Sequence, residues 1–170
     1  MRPFLLILLT VCLAGPASAL QQQPMNPWAT IPRPPHAVSA PHDLQAERQL
    51  LDLANQARAE AGLAPLQTDE GLTRAARTHS ALMASRKQLS HDLAGEPALP
   101  QRLAATSTLQ LSAEGENVGL APSAAEVHRG FMHSPHHREN LLNPDYNVAG
   151  FAVVRNGNMI YVTEDFGAGR

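Results

Sequence analysis

The sequence predicts an α+β fold in which helices cover a small antiparallel sheet. Three observations carry the prediction. Apolar residues recur at helical spacing from Leu44 to Met83. Two runs rich in β-branched residues, Val148–Val154 and Met159–Thr163, flank Arg155-Asn156-Gly157-Asn158, and Asn-Gly is the strongest short hairpin signal. No internal repeat interrupts this order, and helices followed by strands read as α+β, or as an α-β-α sandwich if helices cover both sheet faces.

The N-terminus reads as an export signal. Arg2 gives a positive start, Phe4–Leu13 is a short apolar run, and Ala17-Ser18-Ala19 offers small residues for cleavage near Ala19. The run is too short to span a bilayer. A lipoprotein reading through Cys12 is opposed by bulky Val11 and by the position of Cys12 inside the apolar run. Residues 1–19 hold the only cysteine, so the exported chain relies on its core and not on disulfides. Residues 20–43 carry six prolines and three glutamines with no apolar period, as expected of a proline-rich arm or linker with Trp28 as its large apolar residue.

The domain is expected to span 44–170. Leu50, Leu53, Ala54, Ala57 and Ala61 form one face of a helix ending at Gly62. Thr68 or Asp69 caps a second helix whose stripe is Leu72, Ala75, Ala76, His79, Leu82 and Met83, with His79 expected as a satisfied core residue. Pro97 and Pro100 bracket a loop before a weaker helical piece over 101–109. Ser123-Ala124-Ala125-Glu126 is a capping box opening a helix to about His133. Ser134-Pro135 restarts a short helix that stops at Asn143-Pro144.

Charge excludes one class of partner. Without Arg2, twelve Lys and Arg stand against fifteen Asp and Glu, with no basic block. Nucleic acid is therefore not an expected partner. With one Trp, two Tyr and four Phe, an aromatic platform for stacking sugars is also disfavoured. A monomer without a transmembrane anchor is expected.

Four polar motifs lie where packing alone would not put them. They are Leu89-Ser90-His91, Gly115-Glu116-Asn117, Ser134-Pro135-His136-His137-Arg138-Glu139-Asn140 and Thr163-Glu164-Asp165-Phe166. Together with His79-Ser80, and in this order over 44–166, they resemble the bacterial branch of the CAP superfamily of cysteine-rich secretory, antigen 5 and pathogenesis-related proteins. The resemblance implies an α-β-α sandwich with a three-stranded antiparallel sheet and a central cleft lined by two histidines and acids. Carried over, the cleft histidines are His91 and His137 and the acid is Glu116, with Asn117 and Ser134 beside them. Phe131 and Ser134 stand where eukaryotic relatives have a tryptophan and a second glutamate. That vacant role would fall to Glu114, Asp92 or Glu164.

Two imidazoles and a carboxylate suit a divalent metal, Zn²⁺ first, held by His91 and His137. The same three residues equally suit a hydrogen-bonded cluster holding loops on the sheet. His133 and His137 are four apart, but Pro135 interrupts the helix between them. His128, His133 and His136 are expected at the surface, Arg138 in an ion pair, and Asn140 capping a turn. The mature sequence has no G-x-S-x-G, H-E-x-x-H or catalytic cysteine. Three functions remain open. One is a secreted binding module for a small apolar or cell-envelope ligand. Another is a metal-dependent hydrolase with Glu116 as general base, and the third is an interaction protein with a vestigial cleft.

Overall fold

A computed structural model describes residues 42–170; the leader and almost all of the proline-rich arm lie outside the described residues. The elements in order are α1 (Leu44–Glu60), β1 (Gln67–Thr68), α2 (Glu70–Arg86), α3 (Leu99–Thr106), β2 (Leu111–Ala121), α4 (Ala124–His133), α5 (Pro135–Leu141), β3 (Val148–Asn156) and β4 (Met159–Gly169).

Local chemistry sets the helix starts. Asp43 Oδ1 accepts the Ala46 N–H and Asp69 Oδ1 accepts the Leu72 N–H, so aspartate caps both long helices. Ser123 Oγ accepts from Glu126 N as the capping box requires. The α2 helix closes on Lys87 in the left-handed region at φ 53°, which turns the chain into the loop carrying His91. Pro100 sits in the first turn of α3, where a missing N–H costs nothing, so that helix starts before Gln101.

The sheet has four strands in the order β1-β3-β4-β2. Three are the expected antiparallel set; the fourth, the two-residue β1, pairs parallel with β3. The β4 strand runs on past Thr163 to Gly169, and the Gly-Glu-Asn motif lies within the strand β2 rather than in a loop. Helices cover both faces. On one, α1, α4 and α5 enclose Leu50, Ala54, Phe131, Leu141, Phe151, Val162 and Phe166. On the other, α2 and α3 enclose Leu72, Ala75, Met83, Leu103, Val118 and Tyr161. Fully burying each such large apolar side chain contributes roughly 1.5–3 kcal/mol.

Two close approaches fix the layers. Gly150 on β3 lies so near the backbone of Leu72 and Thr73 that any Cβ would overlap it, which lets α2 sit directly on the sheet. On the other face, Arg58 is buried at the end of α1. It donates to the carbonyls of Ala64, Leu141, Asn143 and Tyr146 at 2.8, 3.0, 2.9 and 2.9 Å. One guanidinium thus ties α1 to the connection between α5 and β3.

Candidate functional site

The sheet's β2 edge carries the polar motifs. Because β2 pairs only with β4, Glu116 stands opposite Asp165 and Asn117 opposite Glu164. Strand alternation sends Glu116 to the α2–α3 face and Asn117 to the α4–α5 face. The motifs therefore serve two connected networks on either side of one strand.

On the α4–α5 face, Asn117 Nδ2 donates to the His137 carbonyl and to Glu164 Oε2, both at 3.1 Å. Asn140 Nδ2 donates to Asn117 Oδ1 at 2.9 Å and to the Glu116 carbonyl at 3.1 Å. Gly115 is required here, since a Cβ would come 2.6 Å from the Tyr146 hydroxyl and 2.7 Å from Asn140 Oδ1. Asn117 is fully buried and acts by satisfying this network. Instead of capping a turn, the Asn140 side chain locks the Ser-Pro-x-His motif to the Gly-Glu-Asn motif. His137 is half-buried, packs on Phe131 at 4.8 Å between ring centroids, and has Nδ1 2.9 Å from Ser134 Oγ.

On the α2–α3 face, His91 leaves its loop with a side chain 53% exposed and donates from Nδ1 to Glu116 Oε1 at 2.8 Å. Arg102 on α3 donates to the other oxygen, Oε2, at 2.5 Å. His79 Nδ1 lies 2.6 Å from Glu96 Oε2, and its Nε2 lies 2.9 Å from the Ser90 carbonyl and 3.8 Å from Glu116 Oε2. His79 is thus the satisfied buried residue its stripe position predicts, and it reaches the His91 loop as well.

These contacts sort the titrating groups. Hydrogen bonding to the Glu116 carboxylate raises the His91 pKa despite partial burial. Burial lowers that of His137, and positive charge on His91 and His136 lowers it further. Burial alone would raise Glu116, but the His91 hydrogen bond and the charges of Arg102 and His79 outweigh it, and its pKa is lowered. Glu164 is fully buried and pushed up to about 8 by desolvation, opposed only by Asn117. Asp165 is raised well above its ordinary range by burial and by the Glu116 charge.

None of the three acids considered for the second cleft carboxylate bonds to a cleft histidine. Glu164 is buried beneath Asn117, Asp92 is exposed beside His91, and Glu114 is half-buried on β2. Arg138 is exposed and takes part in none of the ion pairs among the described residues, while His128 is half-buried rather than exposed. The same residues include no group of three or more His, Cys, Asp or Glu placed to hold a metal. The ring nitrogens left for a ligand are Nε2 of His91 and Nε2 of His137, because both Nδ1 atoms are engaged. Sequence reasoning missed Arg102 and Glu96, whose types and neighbours carry no motif. Among the described residues, two cavities are lined by neither His91 nor His137. One, about 430 Å³, is lined by Ser112, Asp145, Asn147 and Arg170, and the other, about 220 Å³, by Leu51, Phe151, Glu47 and Arg77.

A three-layer sandwich with paired histidines at the open edge of its sheet defines a class of small α-β-α module. The chain belongs to the CAP (cysteine-rich secretory protein) family, whose pattern it matches over residues 51–166. It is 30% identical over 145 residues to the uncharacterised protein YkwD of Bacillus subtilis (strain 168), covering 84% of this chain and 56% of that protein. The chain thus spans about half the length of that relative. In structure it is similar to an extracellular protein containing an SCP domain from Bacillus anthracis, with TM-score 0.66 and 26% identity over 73% of this chain and 40% of that one. It also shares the fold of an outer surface protein from Borrelia burgdorferi, with TM-score 0.68 and 20% identity over 74% of this chain and 94% of that one. No helix among the described residues is long and apolar enough to cross a membrane.

Proposed function

We propose that this chain is an exported binding module whose β2 edge grips the oxygen-bearing head group of a small apolar or cell-envelope ligand through His91 and His137. The observation that carries the reading is the opposite proton character of the two imidazoles. Glu116 favours the charged, donating form of His91, and burial favours the neutral form of His137, which can accept. A carboxylate or hydroxyl head matches that pair. Leu89, two residues before His91, is 47% exposed and offers apolar surface on the same loop. Export is supported by the leader pattern at 1–19 and by relatives described as extracellular or outer-surface proteins.

The hydrolase reading finds less support. Both Glu116 oxygens accept from cationic donors and its pKa is lowered, which makes it a poor general base. A metal reading has one observation in its favour. Glu116 orients His91, and Ser134 orients His137, as outer partners orient metal-bound imidazoles. Zn²⁺ held by the two Nε2 atoms would supply a Lewis acid to the ligand's oxygen.

Calorimetric titration separates these readings. Palmitate is titrated into the full chain, into His91→Ala and into His137→Ala, with circular dichroism confirming each fold. Saturable one-site binding lost in both variants is expected. No binding, or equal binding in all three, refutes the reading. A parallel ZnCl₂ titration decides the metal question, since binding retained in both variants would remove the paired-histidine site.

A further inference from the structure

We propose that His79 is a positioning residue of the cleft, a buried imidazolium that fixes the Ser90 carbonyl and thereby holds His91 against Glu116. The proposal rests on reading the His91–His137 edge as the binding site, but its test does not need a ligand.

Hydrogen-bond chemistry places the protons. The His79 ring is fully buried, and both its nitrogens face oxygen acceptors. A backbone carbonyl only accepts, so Nε2 carries a hydrogen toward Ser90. On the other side Nδ1 meets Glu96 at 2.6 Å, a separation that demands one proton between them. Two neighbours decide where it sits. Arg102 Nη1 lies 3.9 Å from Glu96 Oε1 and favours an ionised Glu96. Glu116 Oε2 lies 3.8 Å from His79 Nε2 and favours a charged ring. The proton belongs on His79.

The result is a closed ring of alternating charge, Glu96–His79–Glu116–Arg102, with every side chain 6% exposed or less. The formal charges of these four groups cancel, so none of them is a buried charge left without a counter-charge, the case that costs most. Asp165, buried opposite Glu116 on the same face, has both carboxyl oxygens without a hydrogen-bond partner among the described residues and adds no charge when protonated. The ring draws on α2, the following loop, α3 and β2, so it fixes the loop at two points, Ser90 and Glu96. His91 is the next residue after Ser90. Its half-exposed ring has no other protein partner than Glu116 among the described residues, so its aim depends on the Ser90 anchor.

Nitrogen-detected NMR of the histidine rings in the ligand-free full chain at neutral pH tests this directly. Both His79 nitrogens are expected to be protonated, and a single protonated nitrogen would overturn the assignment. In His79→Gln, the protected His91 Nδ1–H signal of the Glu116 hydrogen bond is expected to disappear. If it persists in the folded variant, His79 does not position His91. Glu96→Gln, which weakens the same anchor while keeping its size, supplies the comparison should His79→Gln not fold. There, loss of the His91 signal supports the ring and its persistence refutes it. Failure of palmitate to bind would leave both readouts unchanged, so the two readings fail separately.

Discussion

Replacing Glu164 with Gln should stabilise this protein, and increasingly so as the pH rises. The side chain is fully buried, one oxygen accepts from Asn117 at 3.1 Å, and the other has no partner among the described residues. Its folded pKa of about 8 lies well above the ordinary 4.5. The sign follows from linkage. The folded state holds the proton while the unfolded state releases it, so stability is present at acid pH and falls as the pH rises from 4.5 toward 8. At about 1.36 kcal/mol per pKa unit, this one group removes about 2 to 3 kcal/mol between roughly pH 5 and pH 7. Glutamine keeps the shape and the acceptor for Asn117 but has no proton to lose. Urea unfolding of parent and variant at pH 5, 6, 7 and 8 measures the difference. A Glu164→Gln advantage that does not grow with pH, or a less stable variant at pH 8, would refute the claim that Glu164 is buried as a neutral acid.

Three further outcomes follow from the same contacts. Arg58→Met leaves four backbone carbonyls without their donor and should cost about 3–5 kcal/mol in urea unfolding, as removing one side of a buried charged network does. Glu116→Gln removes the main cause of the raised His91 pKa, so an NMR titration should find it lowered. The stability that His91 contributes is present below 6.5 and lost as pH rises through its raised value, so this variant's deficit should shrink on the alkaline side. Gly150→Ala drives a methyl into the Leu72–Thr73 backbone and should cost about 1–3 kcal/mol by thermal unfolding.

Elements with a plain period were readable from sequence. Leu50, Ala54 and Ala57 on α1, and Leu72, Ala75, Ala76 and Met83 on α2, are buried where helical spacing puts them. Asn156-Gly157 makes its hairpin, with Gly157 at φ 62°. The strand β2 was not readable, because both of its faces are covered and one presents Glu116 to a charge ring instead of to water. The extension of β4 was hidden for the same reason, since Glu164 and Asp165 look like surface residues yet are buried. Ala61 was placed on the buried face of α1 but is its exposed C-cap, while Arg58 takes the interior position. Of the candidate site, His91 and Glu116 do meet, His137 lies across the same strand, and Ser134 touches His137. Arg102 and Glu96 stayed hidden because a lone arginine and a lone glutamate become informative only once α3 and the loop are folded beside β2.

The Arg58 tie bears on how a domain without cysteine holds distant segments together, as the proposed export would require. Many small exported domains join distant segments with disulfides, which need an oxidant to form and restrict the unfolded chain once formed. Arg58 joins α1 to residues 83 to 88 positions further along with hydrogen bonds alone. Such a tie exists only in the folded state. It demands no oxidase, survives reducing surroundings, and leaves the unfolded chain free to refold without sorting mispaired thiols. Residues 42–170 contain no cysteine, so folding of the domain involves no redox step.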